Sequence, residues 1–393
     1  MTIGINPLLF SGRVNTISTP GTLHFAGKKT PKNLDNVRVF TGRANPALAA
    51  KISKHLKLPL SAIQVQSHPD GEVEVKVQTD VTDKDVFVIQ PTCAPVNDNL
   101  VELLIMVDAF KRAGARTITA VMPYYGYARQ DLPKDPVKDG KADEIHEPIS
   151  GSMVSKTLKA VGVDRVVTVD LHSGQTRGFF DGPFDNIPTL PLAYNYFSKL
   201  IRDRKIKPDE LVFVSPDASG VSRLEPLANA LGAGIAFTPK KRISGSQVES
   251  GRLVGNVNGK IVVFFDDIIS TAGSVKNGVQ AVLDGGAREI WGFFSHGVLC
   301  GPAADNLKDL PFKKIITSDT IPLPERCKSL GDKITQLSVS EMLAEAIRRI
   351  GSAKSVNALW GIKNWGNKKA RADKKAPNKK TPNKKTPNKK THV

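Results

Sequence analysis

The sequence has few cysteines, and none of them is placed for a disulfide framework or a zinc site. Only Cys93, Cys300 and Cys327 occur among 393 residues, and no two of them form a CxxC pair. Disulfide-rich secreted scaffolds and zinc ribbons need closely spaced cysteine pairs. We therefore expect reduced thiols in a cytoplasmic protein, without a catalytic or metal-binding role.

Long hydrophobic runs are also missing. No stretch of about 18 uncharged apolar residues offers a membrane span, so we expect no membrane contact. Residues 1–36 lack the apolar core of a secretory signal, and we interpret them as a flexible extension. Basic residues such as Arg13 and Lys28, with several Ser and Thr, leave a transit peptide as the alternative. Hydrophobic residues still make up 40% of a chain that exceeds the usual size of one core, which predicts two domains plus tails.

The C-terminal segment 363–393 has almost no acidic residues. It carries 11 Lys and Arg371 against Asp373, so +11 of the net charge of +18 lies there. It repeats Pro-Asn-Lys-Lys-Thr from positions 377, 382 and 387, a composition that predicts a disordered tail. One interpretation is nonspecific contact with a polyanion such as RNA or DNA, and the other is a solvated tail. No aromatic residue interrupts the repeat to stack on bases.

Between these ends, strand-like apolar runs alternate with helical patterns in two series. The first series comprises 37–41, 46–55, 86–90, 99–113, 117–122, 150–161 and 165–169, and the second comprises 211–215, 221–231, 261–265, 274–284, 289–295 and 315–318. Such alternation predicts an α/β protein with two doubly wound domains, each a parallel sheet flanked by helices. We place the domains at 37–187 and 188–338, followed by a helical segment at 339–362.

Residues 260–274 are the most informative stretch. The apolar run 261–265 is typical of a strand buried on both faces, and the small polar residues of 270–274 suit a tight loop that opens a helix. A phosphate at a helix N-terminus meets free N–H groups and the positive end of the dipole. Asp266 and Asp267, at the carboxyl end of the strand, suit ribose hydroxyls or Mg²⁺ with its waters. An acidic strand end before a capped helix is the alternative interpretation.

Two other predicted strands end next to polar residues. Asp170 and His172 follow the run 165–169, and Asp217 follows the run 211–215. A neutral imidazole beyond a strand end can bind Mg²⁺ or its waters. The alternatives are a structural histidine and, for Asp217, a helix N-cap.

A basic cluster at 240–242 precedes a polar, glycine-containing segment at 243–251. We expect this segment to be a mobile flap. A cluster of this kind is also typical of an ordinary solvated surface.

The loop at 260–274 resembles the sugar-phosphate loop shared by type I phosphoribosyltransferases and ribose-phosphate pyrophosphokinases. The resemblance to the pyrophosphokinase family extends from about Val39 to Ile350, through ordered motifs at 70–73, 93–100, 123–131, 169–172, 178–181, 214–217, 240–242 and 342–350. It implies two phosphoribosyltransferase-like domains, a late helix that returns to the first of them, and a flap that closes over ATP.

The resemblance implies transfer of pyrophosphate from ATP to the C1 hydroxyl of ribose 5-phosphate, with Mg²⁺ as cofactor. It also implies a homo-oligomer, a hexamer built from dimers in the family, with part of the nucleotide site supplied by a neighbouring subunit. The implied catalytic residues are Lys240 and Arg242. The implied ATP-binding residues are Asp70, Gly71, Glu72, Arg129, Gln130 and Asp131. The implied ribose 5-phosphate-binding residues are Arg242, Asp266, Asp267, Ser270, Thr271, Ala272, Gly273 and Ser274, and the implied metal ligands are His172, Asp217 and Asp170.

Several positions depart from the family pattern. Ser270 stands where the family usually has a third carboxylate, Ala272 replaces a glycine, His68 stands about where a phenylalanine is expected, and Ser219 interrupts a Gly-Gly pair. These departures motivate one alternative, a non-catalytic paralogue that regulates a partner pyrophosphokinase. The other alternative is a type I phosphoribosyltransferase, which would not need the region around Arg129 or the basic flap.

Overall fold

The computed structural model describes residues 34–133, 137–138, 141–142, 147–218, 220–238, 240–244, 247–250 and 253–359. The predicted extension up to residue 33 and the predicted tail at 363–393 therefore lie outside the described residues. The strands are β1 Val37–Thr41, β2 Ile63–Ser67, β3 Val73–Val77, β4 Asp85–Ile89, β5 Thr117–Met122, β6 Val137–Lys138, β7 Lys141–Ala142, β8 Arg165–Val169, β9 Phe184–Ile187, β10 Leu211–Ser215, β11 Gly234–Phe237, β12 Lys240–Ser244, β13 Gln247–Ser250, β14 Ile261–Ile269, β15 Glu289–Gly297, β16 Phe312–Ser318 and β17 Ile334–Leu337. The α-helices are α1 Pro46–Leu56, α2 Val96–Arg112, α3 Ser150–Val161, α4 Leu190–Arg204, α5 Val221–Leu231, α6 Gly273–Asp284, α7 Ala303–Asp309 and α8 Ser340–Gly351, and short 3-10 helices span Gly174–Phe179, Pro208–Glu210, Glu325–Lys333 and Asn357–Leu359.

Two parallel sheets form the framework of the chain. The first has the strand order β1-β4-β5-β8-β9, and the second has the order β11-β10-β14-β15-β16-β17. All ladders within both sheets are parallel, and the connecting helices cover their faces. This confirms the predicted fold class of two doubly wound α/β units.

Alternate side chains of the central strands enter different cores, as expected for strands covered on both faces. In β4, Val86 and Val88 belong to one buried cluster, whereas Phe87 and Ile89 belong to another on the opposite face. The second sheet repeats this pattern: Val212 and Phe264 lie in one cluster, while Phe213, Ile261 and Phe265 lie in the other. The carboxyl ends of both sheets are thus held by apolar packing on either side.

The chain crosses back to the first sheet after β17. Met342, Leu343 and Ile347 of α8 are buried in the same cluster as Leu48 and Ile52 of α1. Asp319 ties this crossing together, because its carboxylate accepts hydrogen bonds from Lys51 Nζ and from the Val339 N–H, each at 2.9 Å. The helix at 340–351 therefore packs against the layer that covers the first sheet. The domain boundaries at 37–187 and 188–338 stay a prediction.

Two differences from the predicted elements concern the site. The strand predicted at 261–265 continues to Ile269, so Asp266 and Asp267 lie within β14 and not beyond its end. The backbone of the expected flap includes an antiparallel pair, β12 with β13, where we expected a loop. The polar, glycine-containing sequence gave no sign of these short strands.

None of the helices in the described part of the chain combines the length and the apolar character that a bilayer crossing requires.

Candidate active site

A histidine, a carboxylate and a guanidinium meet at the junction of the two sheets, where the loop after β8 of the first sheet contacts β14 of the second. His172 Nδ1 lies 2.6 Å from Asp267 Oδ2, and Arg223 Nη1 donates to Asp267 Oδ1 at 2.9 Å. Arg223 Nη2 also donates to the main-chain carbonyl of His172 at 3.2 Å. The three residues come from the loop after β8, from β14 and from the first turn of α5, so each is placed by a different element.

Local structure explains why Arg223 reaches this point. The Gly220 N–H donates to Asp217 Oδ1 at 2.9 Å just before α5 begins, and Leu224 and Leu227 bury one face of the helix against the sheet. The helix ends at Gly232, whose φ of +69° favours glycine. Arg223 therefore lies at the edge of a fixed helix and extends toward the neighbouring sheet.

The pKa values of the two adjacent carboxyl groups of β14 are shifted in opposite directions. Burial acts to raise the pKa of Asp267, but hydrogen bonds from its neighbours and the charges of Arg223 and His172 together hold that pKa well below its usual range. Burial and the nearby charge of Asp267 raise the pKa of Asp266. The hydrogen bond to Asp267 in turn raises the pKa of His172 against the effect of burial. Asp267 is thus the charged member of the pair, and it accepts a hydrogen bond from the N–H of His172 Nδ1.

Asp170 belongs to a second network, in which the donors Thr189 and Ser295 are fully buried. Its Oδ2 accepts hydrogen bonds from the Thr189 N–H at 3.2 Å and from the hydroxyls of Thr189 and Ser295. Its backbone has a φ of +33°, in the left-handed region. The carboxylate is therefore engaged by protein donors, while its predicted role as a metal ligand stays a prediction.

His296 closes this network from the second sheet. Its Nε2 lies 3.0 Å from the Val169 carbonyl and 3.2 Å from that of Asp170, and its Nδ1 lies 2.8 Å from Thr320 Oγ1. Because carbonyls only accept, Nε2 carries the proton and Nδ1 accepts from the hydroxyl. Burial lowers the pKa of His296, so the ring is neutral. It fixes the turn that leads to His172.

The predicted phosphate loop connects β14 to α6. Ala272 adopts a φ of +63° directly before the helix, and α6 begins without a side-chain cap or an acidic residue in its first turn. The Asn306 amide donates to the Thr271 carbonyl at 2.8 Å, and Ser270 Oγ lies 3.1 Å from Cys300 Sγ. An uncapped helix start held by a fixed turn can receive an anion. The side chain of Ser274 is outside the described residues.

The loop that carries Arg129, Gln130 and Asp131 reaches the same junction. Burial raises the pKa of the Tyr124 hydroxyl, and a hydrogen bond with Arg129 opposes that shift. The Tyr124 ring packs edge-on against His296, with 5.0 Å between ring centroids. The Gln130 side chain accepts from the Ser150 hydroxyl at the start of α3. Arg129 is thus connected through Tyr124 to the network behind His172.

The loop with Asp70, Gly71 and Glu72 lies elsewhere. It forms the turn between β2 and β3, where the Glu72 N–H donates to Asp70 Oδ1 at 3.1 Å and Gly71 has a φ of +98°. Gly71 and Glu72 line a cleft of about 690 Å³ whose described lining residues all lie between Arg43 and Ile105. A single chain therefore does not place this loop among the residues that line the His172 and Asp267 cluster.

The backbone of Lys240 and Arg242 belongs to β12, but their side chains are outside the described residues. The structure therefore leaves their predicted catalytic roles as predictions.

Four residues of the junction were missed in the sequence: Arg223, Thr189, Ser295 and His296. Ser295 and His296 lie at the carboxyl end of β15, next to β14, and polar residues at that position could have been noticed. Arg223 follows Asp217 by six positions, but a helical arginine carries no comparable signal.

The described residues of this cluster suit a divalent cation whose other ligands are waters and substrate oxygens. Among the residues that the structure describes, no three or more His, Cys, Asp or Glu side chains are grouped to hold a metal ion. The pairing of His172 Nδ1 with a carboxylate is nevertheless the arrangement that orients metal-binding histidines. Hard cations such as Mg²⁺ usually keep several waters and take one or two protein ligands together with substrate phosphates. The residues therefore fit a Mg²⁺ site that substrates complete.

Comparisons with known proteins agree on one family. Residues 37–162 match the model for the N-terminal domain of ribose phosphate pyrophosphokinase, and residues 243–361 match the phosphoribosyl synthetase-associated domain. The chain is 44% identical to ribose-phosphate pyrophosphokinase of Fusobacterium nucleatum over 328 residues, covering 84% of this chain and 99% of that protein. It is also 44% identical to the Caldanaerobacter subterraneus enzyme over 326 residues, covering 83% and 98%. The crystal structure of phosphoribosylpyrophosphate synthetase from Mycobacterium smegmatis superposes with a TM-score of 0.72 at 36% identity, covering 81% of this chain and 99% of that one. The chain therefore belongs to the ribose-phosphate pyrophosphokinase family.

Proposed function

We propose that this chain transfers the pyrophosphoryl group of ATP to the C1 hydroxyl of ribose 5-phosphate, releasing AMP and forming 5-phosphoribosyl 1-pyrophosphate. A bond forms between the sugar oxygen and the β-phosphorus, the bond from that phosphorus to the α,β-bridging oxygen breaks, and the hydroxyl proton is lost. The observation that carries the proposal is the meeting of His172, Asp267 and Arg223 beside the loop that opens α6. Charged groups there can neutralise phosphates without a covalent intermediate.

The sugar-phosphate end is proposed to bind at the start of α6. The N–H groups of the first helical turn and the Thr271 hydroxyl supply donors for a phosphate, and no acidic side chain in that turn opposes its charge. Asp266 and Asp267 lie on the strand that leads into this loop, where acidic groups suit the ribose hydroxyls. We assign Ser270, Ala272, Gly273 and Ser274 to the same loop.

Mg²⁺ is proposed to bind through His172 and Asp217, with Asp170 as a further candidate. When bound, the cation neutralises the negative charge of the transferring phosphates. Asp267 keeps the proton of His172 on Nδ1, which leaves the lone pair of Nε2 for the cation. Asp217 is held in place by the hydrogen bond that its Oδ1 accepts from the Gly220 N–H.

The ATP end is proposed to involve Arg129, Gln130 and Asp131 from the chain itself. The location of the 70–72 turn in a separate cleft supports the proposal that a neighbouring subunit contributes Asp70, Gly71 and Glu72. Lys240 and Arg242 are proposed to supply positive charge to the phosphoryl group in transfer. We propose that the reaction takes place in the cytoplasm, and that the C-terminal tail makes nonspecific contacts with polyanions.

The test is to incubate the protein with ATP, ribose 5-phosphate and Mg²⁺ and to measure the AMP formed by chromatography. We expect AMP and 5-phosphoribosyl 1-pyrophosphate in equal amounts, and no AMP when ribose 5-phosphate is omitted.

The Ser270 position, where the family has a carboxylate, favours a regulatory paralogue as the second candidate. That candidate predicts no AMP at any phosphate concentration, together with a changed rate when an active pyrophosphokinase is added. A phosphoribosyltransferase would instead consume 5-phosphoribosyl 1-pyrophosphate in the presence of a base.

A further inference from the structure

We propose that Arg223 is a positioning residue for this reaction, which fixes the ring of His172 across the junction of the two sheets. The proposal rests on the proposed function. Arg223 contacts both members of the pair at once: one nitrogen donates to the Asp267 carboxylate at 2.9 Å, and another donates to the His172 main-chain carbonyl at 3.2 Å. With the contact from His172 Nδ1 to Asp267, these bonds form a closed ring of three residues.

The closed set of three hydrogen bonds requires the shape of the Arg223 guanidinium. The two acceptors of Arg223 belong to different parts of the chain, the strand β14 and the turn after β8. A planar fork of donors can bridge them without moving, whereas an ammonium group is a point charge on a flexible stem. Lysine at this position would keep the charge but hold only one acceptor firmly.

The cluster also needs the charge of Arg223. Its guanidinium lies within electrostatic range of Asp170, Asp266 and Asp267, and it is the cation that pairs directly with the carboxylate facing His172. The Asp267 side chain is 5% exposed, so its charge is poorly hydrated and depends on protein donors. If Arg223 is replaced by a neutral residue, Asp267 loses the donor that fixes its Oδ1, so the carboxylate and the His172 ring bonded to it are free to rotate.

The hydrogen bonds of Arg223 distinguish this role from direct contact with a substrate. The Arg223 side chain is 37% exposed, but its described hydrogen bonds go to Asp267 and to the His172 backbone. A group that acts through the orientation of another residue is expected to change turnover more than substrate affinity. We therefore expect variants of Arg223 to lower kcat with little change in the KM for ribose 5-phosphate.

The experiment compares Arg223→Met and Arg223→Lys with the control Arg202→Met in the full chain. Arg202 is a suitable control because it is 71% exposed and its ion pair with Asp203 spans 3.8 Å. Turnover is followed by AMP, folding by the thermal midpoint, and the His172 ring by ¹⁵N NMR of histidine-labelled protein without ligands, at fixed pH. A His172→Gln variant assigns the His172 signals among those of seven histidines.

We expect Arg223→Met to lower kcat about 10- to 100-fold and Arg223→Lys to recover only part of that loss. Both variants should shift the His172 ring signals. The control Arg202→Met should change neither kcat nor the His172 ring signals. Three results would overturn the proposal: turnover within twofold of wild type, lost turnover with unchanged His172 signals, or a fall in thermal midpoint that accounts for the lost activity. Absence of AMP from the wild-type protein, with His172 signals that still respond to Arg223→Met, would refute the proposed function but support the positioning.

Discussion

Replacing Asp267 by asparagine probes the cluster most sharply, because it removes a charge while keeping the shape. Asp267 receives one hydrogen bond from Arg223 at 2.9 Å and faces His172 Nδ1 at 2.6 Å. In Asp267→Asn the amide oxygen must face Arg223, which can only donate, so the NH₂ group faces His172. Nδ1 would then have to accept, and the ring proton would move to Nε2. The nitrogen that we propose for cation binding would lose its lone pair.

The size of the effect follows from the contacts. A hydrogen bond to a charged partner contributes about 1.5–3 kcal/mol, roughly twice the contribution of a neutral one. Asparagine keeps both contacts as weaker ones, so we expect a loss of about 1.5–3 kcal/mol in the transition state, equivalent to a fall in turnover of about 10- to 100-fold. The unfolding free energy should change less, because removing one of two adjacent carboxylates also relieves the repulsion that raises the pKa of Asp266.

The assay pairs AMP formation with urea unfolding of the same preparations. Asp203→Asn is the control, since Asp203 pairs with Lys199 at the surface of α4. Turnover of Asp267→Asn within threefold of wild type would refute the reasoning, as would a His172 ring that keeps its proton on Nδ1.

Three further predictions concern other parts of the chain. Lys240→Ala should lower turnover more than tenfold with little change in thermal midpoint, because the lysine charge is needed in the transition state. The control Lys328→Ala, at an exposed position, should leave turnover unchanged. Equal losses of stability and activity in Lys240→Ala would contradict the catalytic role. Glu102→Ala should lower the urea-unfolding free energy by about 2 kcal/mol, because the backbone N–H of Arg43 and the Gln90 amide lose the buried carboxylate that accepts from them; a loss below 1 kcal/mol would argue against this. Burial, then repulsion by a nearby glutamate, raises the pKa of Glu341 to about 7 from an unfolded value of 4.5, so the folded state loses stability as pH rises through that window. Glu341→Gln should therefore exceed wild type in stability by on the order of 1 to 2 kcal/mol at pH 8 and match it near pH 4, and a difference that does not vary with pH would contradict the shift.

The sequence predicted the framework well because the strands are buried on both faces. The runs at 117–122, 165–169 and 211–215 coincide with β5, β8 and β10, and the helices at 150–161 and 221–231 coincide with α3 and α5. In a parallel sheet that helices cover on both faces, a continuous apolar run indicates a buried strand wherever it occurs. The strand β14 is longer than predicted, because it continues through Asp266 and Asp267 to Ile269. Carboxylates can remain in a buried strand there because distant residues, His172 and Arg223, bind one of them.

The site was predictable in part for the same reason. His172 and Asp267 were identified because each lies at or near a strand end, and the structure brings them within hydrogen-bonding distance. Arg223 was not identified, because its role depends on how one sheet faces the other. No local pattern encodes that arrangement. The 70–72 turn illustrates the same limit, since its proposed role depends on a second chain.

The most direct test is a crystal structure with ribose 5-phosphate, Mg²⁺ and a non-hydrolysable ATP analogue bound together. We predict that the sugar phosphate contacts the first turn of α6 and Thr271, and that the cation contacts His172 through Nε2 or one of its waters. The β-phosphorus should lie within about 3–3.5 Å of the C1 hydroxyl oxygen. A sugar phosphate bound away from α6, or a His172 ring turned away from Asp267 in the complete complex, would contradict this account.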